Sequence, residues 1–446
     1  GKGSMGTGVV TGGYNVAFGY QAGRDNTSGV SNVFIGRQAG QETTTGQYNT
    51  YINWAGQNRE AGHNNFAVGL YALQGNGTPA NNIGHGNVAL GAHAGCVVDS
   101  GCYNFLGGYK AGQGLTTGIQ NAFIGYCAGS GASQAHTGSK NIALGSKAGY
   151  YGNSGSENIA IGNESGECVI SGAEKNITIG TRAGYVINNA HENIAVGSSA
   201  IGGDTATIGG CNIVMGLCAG WDIRSGHTNI AIGKDSLRMG AHTGNANIAI
   251  GQSAGYQNVS GECNIFIGRN AGECLLSSGN GNIFMGRYAG KCRCTGGYNV
   301  ALGQCALQGG GTYSANTGTL NVSIGYKSGN TVTSGSGNVF IGNYAGGNGV
   351  TTGNYNVAIG CGVDVASNTG SSQLAIGVAA NKWITGDSSF HIQPGAGIRD
   401  TAGNLGSAGQ VLCTTGSAVA WTAAGGGGGG SGVSQAKATA IAMTFG

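Results

Sequence analysis

Proline is almost missing from this chain, with 2 residues in 446, and charge is scarce, Asp, Glu, Lys and Arg making up only 8%. The first shortage excludes collagen and Pro-rich linkers, which need proline beside glycine. The second, 20 basic against 17 acidic side chains for a net charge of +3, leaves no electrostatic footprint for nucleic acid or an anionic membrane. No apolar run approaches the roughly 20 residues of a membrane span, and residues 1–5 hold no signal-peptide core. The 13 cysteines include no Cys-x-x-Cys pair, and Cys292 and Cys294 stand too close together for a zinc-ligand pair. No metal or other cofactor is expected, and the cysteines read mainly as small buried apolar filling.

What the chain has in excess is glycine, 95 residues, with 40% apolar residues and no strict Gly-X-Y period. This composition describes an ordered chain that turns often. Residues 247–255 spell Asn-Ile-Ala-Ile-Gly-x-x-Ala-Gly, and the motif recurs. Its Asn stands at 15, 32, 49, 65, 87, 104, 121, 141, 158, 176, 193, 212, 229, 247, 264, 282, 299, 321, 338 and 356, with Gln373 in a last degenerate copy. A unit of 17–18 residues is too small to bury its own apolar face and must stack on copies of itself. The expected fold is all-β: a β-solenoid (β-helix or β-roll) of about 21 short repeats.

Within a copy the second and fourth positions are apolar (Val16 and Phe18, Ile230 and Ile232) while Asn and a mostly small residue alternate with them, the period of a strand with one face buried. Glycine at the fifth position suits a sharp turn with positive φ, and Asn53 is the exception there. The third position varies between Ala (Ala89, Ala160, Ala249) and Phe (Phe34, Phe123, Phe266, Phe284, Phe340). Phenylalanine on a solvent face is costly, so this position is expected to meet another layer or another chain, unless it fills a wider internal core.

The recurring Asn is expected to form an inward ladder, each amide donating to and accepting from the next coil: Asn15, Asn32, Asn141, Asn158, Asn193, Asn229, Asn247, Asn264, Asn282, Asn338 and Asn356 represent it. Ladder residues that lie in glycosylation sequons, such as Asn176 and Asn321, could carry no sugar. Asn26, Asn76, Asn163 and Asn258 lie outside the ladder and read as accessible acceptors in a eukaryotic secretory setting.

From Asn141 onward every second step is 17 residues. One copy per coil is the simpler arrangement, giving a rod of roughly 100 Å, whereas two copies per flattened coil would halve it to about 50 Å. Cys274 and Cys292 both stand ten residues after their Asn. One copy per coil would stack them within reach of a disulfide; two would put them on opposite sides. The polar segments 74–86, 130–140 and 308–320 read as loops on one flank. The organisation expected is a lead-in over 1–14, the solenoid over 15–378, a small β module capping it over 379–424, a Gly-rich linker over 425–432 and a terminal segment over 433–446 for subunit contact.

The Asn-x-Ala-Ile-Gly-x-x-Ala core resembles the head repeats of trimeric autotransporter adhesins. It is still more similar to the Asn-Thr-Ala-x-Gly-x-x-Ala-Leu repeats of phage tail-fibre-like proteins, whose Ala-Leu ending is matched by Leu73, Ile201, Leu237 and Leu307. Residues 409–421, Gly-Gln-Val-Leu-Cys-Thr-Thr-Gly-Ser-Ala-Val-Ala-Trp, resemble a segment of marine cyanophage tail fibres, as do residues 435–445. The resemblance implies a homotrimeric extracellular fibre, on a virion surface, that attaches to a host cell. The autotransporter coil is shorter, and neither a membrane anchor nor a self-cleaving chaperone domain is visible here.

Expected partners are therefore further copies of the chain, in a homotrimer or an open filament, and a cell-surface glycan or protein, with no nucleic acid and no membrane span. An enzyme is not expected. Asp99, Glu164, Asp204 and Asp235 share no motif position that would pair carboxylates, and the 8 histidines share no register with a Ser or Cys. An ice-binding face would need threonine in register along the strands, and the threonines cluster between them.

Overall fold

A three-residue strand opens each copy of the motif, and consecutive copies pair side by side, parallel and in register. Val16 lies beside Val33, Ile230 beside Ile248, and Ile248 beside Ile265. The computed structural model describes residues 11–77, 81–131, 135–150, 154–170, 172–203, 207, 209–274, 279–293, 295–310, 316–347, 349–389, 391–395, 398–399, 402–405, 407, 410–414 and 419–423. The fold is a β-solenoid with one copy per coil. Twenty-three strands form one sheet, from Val16–Phe18 onward, and Cys168–Ile170 pairs in parallel with Val186–Asn188 in a small second sheet. Only the last two strands are antiparallel: Asn381–Gly386 runs back against Leu374–Val378, and Ile392–Pro394 follows it. A separate hairpin pairs Gln410–Thr414 with Val419–Ala423. The segments 1–10 and 425–446, with the linker and terminal segment expected there, lie outside the described residues.

The fifth-position glycine has two reasons to be glycine. Gly251 and Gly268 adopt φ of +133° and +124°, which side chains disfavour, and a Cβ on Gly251 would stand 2.8 Å from the carbonyl of Gly268 one coil on. Asn53 escapes by taking φ 62°, the left-handed region that asparagine tolerates.

The face assignment read from the motif is inverted in the structure. Third-position Phe34, Phe123, Phe266, Phe284 and Phe340 are buried at 0–1% exposure inside their own chain. They meet neither another layer nor another chain. The outward residues are those at the second and fourth positions. The physical reason is the strand period: position three shares its face with the inward Asn at position one, so positions two and four point away.

Filling the narrow interior is a trade between positions three and nine. Where position three is Phe, position nine is Gly, and a Cβ on Gly272 would lie 2.4 Å from the Phe266 ring. Leu73, Ile201, Leu237 and Leu307 take the ninth place, at φ 45–48°, only where position three is Ala and the next coil carries Ala, Val or Ser there. The Asn141 and Asn158 coils have neither large residue. A void of about 30 Å³ results, lined by Phe123, His136, Ala143, Gly149, Ala160 and Thr178 among others.

Candidate functional site

The Asn ladder is built as expected and is spent on itself. Asn247 Nδ2 donates to Asn229 Oδ1 (3.1 Å) and to Gly261 O (2.8 Å), while Asn247 Oδ1 accepts from the N–H (3.0 Å) and Nδ2 (3.1 Å) of Asn264. Both amide hydrogens and both lone pairs are used, so nothing is left for a ligand. The same pattern joins Asn32 to Asn15, Asn158 to Asn141, Asn229 to Asn212 and Asn282 to Asn264. Asn193, Asn338 and Asn356 are fully buried members, and Asn356 Oδ1 passes the ladder to Gln373 at 2.9 Å.

Two further columns escaped the sequence reading. Two residues before many of these Asn, a polar side chain accepts the N–H of its counterpart one coil earlier: His63 Nδ1 from Gln47 (3.0 Å), Ser156 Oγ from Ser139 (3.1 Å), Asn354 Oδ1 from Ser336 (2.8 Å). Because His, Ser, Asn and Cys all serve, no single letter marks the column, and the expectation that no histidine shares a register with Ser or Cys is overturned here: His85 Nδ1 and Cys102 Sγ stand in adjacent coils 3.2 Å apart. Position twelve points inward and carries Val98, Leu115, Ile187 and Ile223, but also Asn26 and Asn258, each 1% exposed. These two asparagines are therefore not accessible glycosylation acceptors; Asn163 is exposed.

Buried Arg59 and Arg293 stand one coil before the two longest steps, 65 to 87 and 299 to 321. Arg59 donates to Val98 O (2.9 Å) and Gly84 O (2.6 Å), and Arg293 to Val332 O (3.2 Å) and Gly318 O. Burial pulls both guanidinium pKa values down, that of Arg293 to about 10. They tie carbonyls across each insertion.

Cys274 and Cys292 lie in adjacent coils, the Cys274 N–H donating to Lys291 O at 2.9 Å, but Cys292 is a free thiol and no bridge joins the two. Cysteine is not mainly core filling: Cys211, Cys263 and Cys361 are exposed, and Cys102, Cys168, Cys218 and Cys292 are half-buried. Among the described residues no three His, Cys, Asp or Glu converge as metal ligands. Glu164 is held between Lys147 (3.8 Å) and Arg182 (3.9 Å), and Asp235 pairs with Arg238 at 2.9 Å; Asp204 lies outside the described residues.

What the interior does not use lies on the outside of the sheet. Second- and fourth-position side chains form two apolar columns along the rod, with Ile35 at 38%, Ile124 at 43%, Ile250 at 37% and Ile341 at 37% exposure. Exposed tyrosines rim them, among them Tyr48, Tyr103, Tyr298 and Tyr355, each immediately before a ladder Asn. A continuous apolar patch much larger than a few hundred Å² marks a contact surface. No helix of the described residues is long and apolar enough to cross a membrane. No family model matches the chain, and no curated protein or solved structure does either.

Proposed function

We propose that this chain is a structural fibre protein, a viral tail-fibre or surface-fibre component that assembles through its apolar sheet face into a homotrimeric rod and attaches to a host cell. The observation that carries the self-association is that face. Each half-exposed Ile or Val has roughly 1 kcal/mol of burial still to gain, so some twenty coils hold on the order of 20 kcal/mol or more, above the association cost of about 4–15 kcal/mol. A second copy is the occupant that matches it, since it has the same coil spacing along the same length. The three-fold state, the extracellular setting and the host rest on the resemblance of the repeats and of residues 409–421 to tail fibres.

Light scattering on the purified chain tests the reading. A discrete particle at three times the 44.0 kDa chain mass is expected. Ile232→Glu with Ile250→Glu, both on the outer face, should leave the coil folded and return a monomer. A monomeric wild type would sink the proposal, and open-ended filaments in electron micrographs would favour a second reading, a homopolymeric filament of a microbial cell surface.

A further inference from the structure

The turn that follows each strand carries, over the first seven coils, an unbroken column of rings and cations; a shorter set recurs on later coils, where Tyr326 meets Tyr344 and Arg287 lies over Tyr288. The Arg37 guanidinium lies 6.0 Å from the Tyr20 ring and 4.8 Å from Trp54. Trp54 meets Tyr71 at 5.4 Å, Tyr71 meets His93 at 5.2 Å, His93 meets Tyr109 at 6.2 Å and Tyr109 meets Tyr126 at 5.6 Å. Folding does not demand these rings, because the following coils have Ser146, Asn163, Thr181 and Ser198 at the sixth position. Tyr20 and Tyr126 are 59% and 54% exposed. Beside the column runs a glutamine ladder, Gln38 Nε2 donating to Gln21 Oε1 (3.1 Å) and Gln74 Nε2 to Gln57 Oε1 (3.2 Å). At the far end the surface sinks into a groove of about 530 Å³ lined by Tyr126, Tyr150, Lys110, Gln113, Thr116 and Ser130, among others.

We infer that this edge binds a linear polysaccharide lying along the rod axis, its end or a branch seated in the groove. Sugar rings present rows of C–H bonds to aromatic faces and hydroxyls to amides, and the edge supplies both in one line with a contact in every coil. The groove combines two tyrosines with an ammonium, an amide and hydroxyls, the mixture that orients a polar ligand in a concave site. A single-stranded nucleic acid would also stack on rings, but its channel needs a dominantly positive groove, and here Arg24, beside Tyr20, is paired with Asp25 at 2.6 Å and lies near Glu42. The column lies beside the apolar face, so a rod with that face covered would still present it.

The inference rests on the proposal that the rod is displayed for attachment, and it names the partner. The test is affinity electrophoresis of the full chain in gels containing soluble xylan, mixed-linkage β-glucan or alginate, with a parallel shift assay on an oligo(dT) probe. Retardation by at least one polysaccharide is expected, with apparent affinity falling at least tenfold in Tyr109→Ala/Tyr126→Ala, less than threefold in Tyr126→Phe, and not at all in Tyr326→Ala on the later coils. Circular dichroism checks that the variants are folded. No retardation in any gel, equal retardation of the double variant, or binding to oligo(dT) alone would overturn the inference. The particle mass from light scattering reports separately on assembly, so a rod that fails to bind and a monomer that binds are distinguishable results.

Discussion

Ala160→Val should stabilise the solenoid, while the same change at Ala249 should destabilise it. Both alanines occupy the third position of a coil and both are buried, at 5% and 0% exposure. Ala160 borders the void of about 30 Å³ left by two coils that lack both large residues. The space over Ala249 is taken: a Cβ on Gly255 of that coil would lie 2.7 Å from Phe266 and 2.9 Å from Leu237. Valine adds two methyl groups, at most about 1.6 kcal/mol at ~0.8 kcal/mol per buried carbon. Filling the void alone is worth about 0.7 kcal/mol at ~24 cal/mol per Å³. A gain of about 1 kcal/mol is the working figure, against a loss of ~1–3 kcal/mol from overpacking at Ala249. Coil arrays do not unfold in one step, so the readout is native-state hydrogen exchange at the ladder N–H groups. The N–H groups of Ile159 and Ile177, which donate to Asn176 O and Asn193 O, should exchange roughly fivefold more slowly in Ala160→Val. Equal destabilisation by the two substitutions would refute the volume trade between positions three and nine.

Asn247→Ala removes both donors and both acceptor contacts of a fully buried amide, orphaning the Asn264 N–H, and should cost ~3–5 kcal/mol, against ~2–3 kcal/mol for Asn15→Ala, whose half-buried amide also serves the Asn32 N–H but donates only to Gly29 O; thermal melts of the two variants compare them. Burial beside Phe123 holds the His136 pKa down to about 4 from 6.5, so the neutral ring folds in and the unfolded chain binds the proton first. Its contribution is complete above about pH 6.5, declines as the pH falls and is fully lost near pH 4, amounting to about 3 kcal/mol. His136→Gln should remove that part of the slope when melting temperature is followed from pH 7 to pH 4; an unchanged slope would contradict the burial argument. The absence of a Cys274 to Cys292 bridge is checked by non-reducing peptide mapping, in which no cross-linked peptide joining the two should be recovered.

The inversion of the strand faces shows how close the sequence came. An inward Asn at position one puts position three inward as well, by the period of two, and the Phe-for-Ala exchanges then report an internal volume. What hid this was the hydrophobicity of positions two and four, which reads as a core when the strand is taken alone. The column before each Asn was illegible because its requirement is only a side-chain acceptor, met by His63, Ser156 and Asn354 alike. Asn26 and Asn258 looked accessible because position twelve has no fixed residue type, holding Val98 and Ile223 but also Thr43 and Arg293, and only the coil closes that segment over the core.

By itself the sequence determined the repeat, the parallel stack, the fifth-position glycine and the Asn ladder, since each follows from a residue whose chemistry admits one use at that spacing. Tertiary structure decided one copy per coil, the assignment of faces, and the alignment of Tyr20, Trp54, Tyr71, Tyr109 and Tyr126 into one edge. Those depend on how the chain closes between strands, where length and composition vary and no local rule constrains the path.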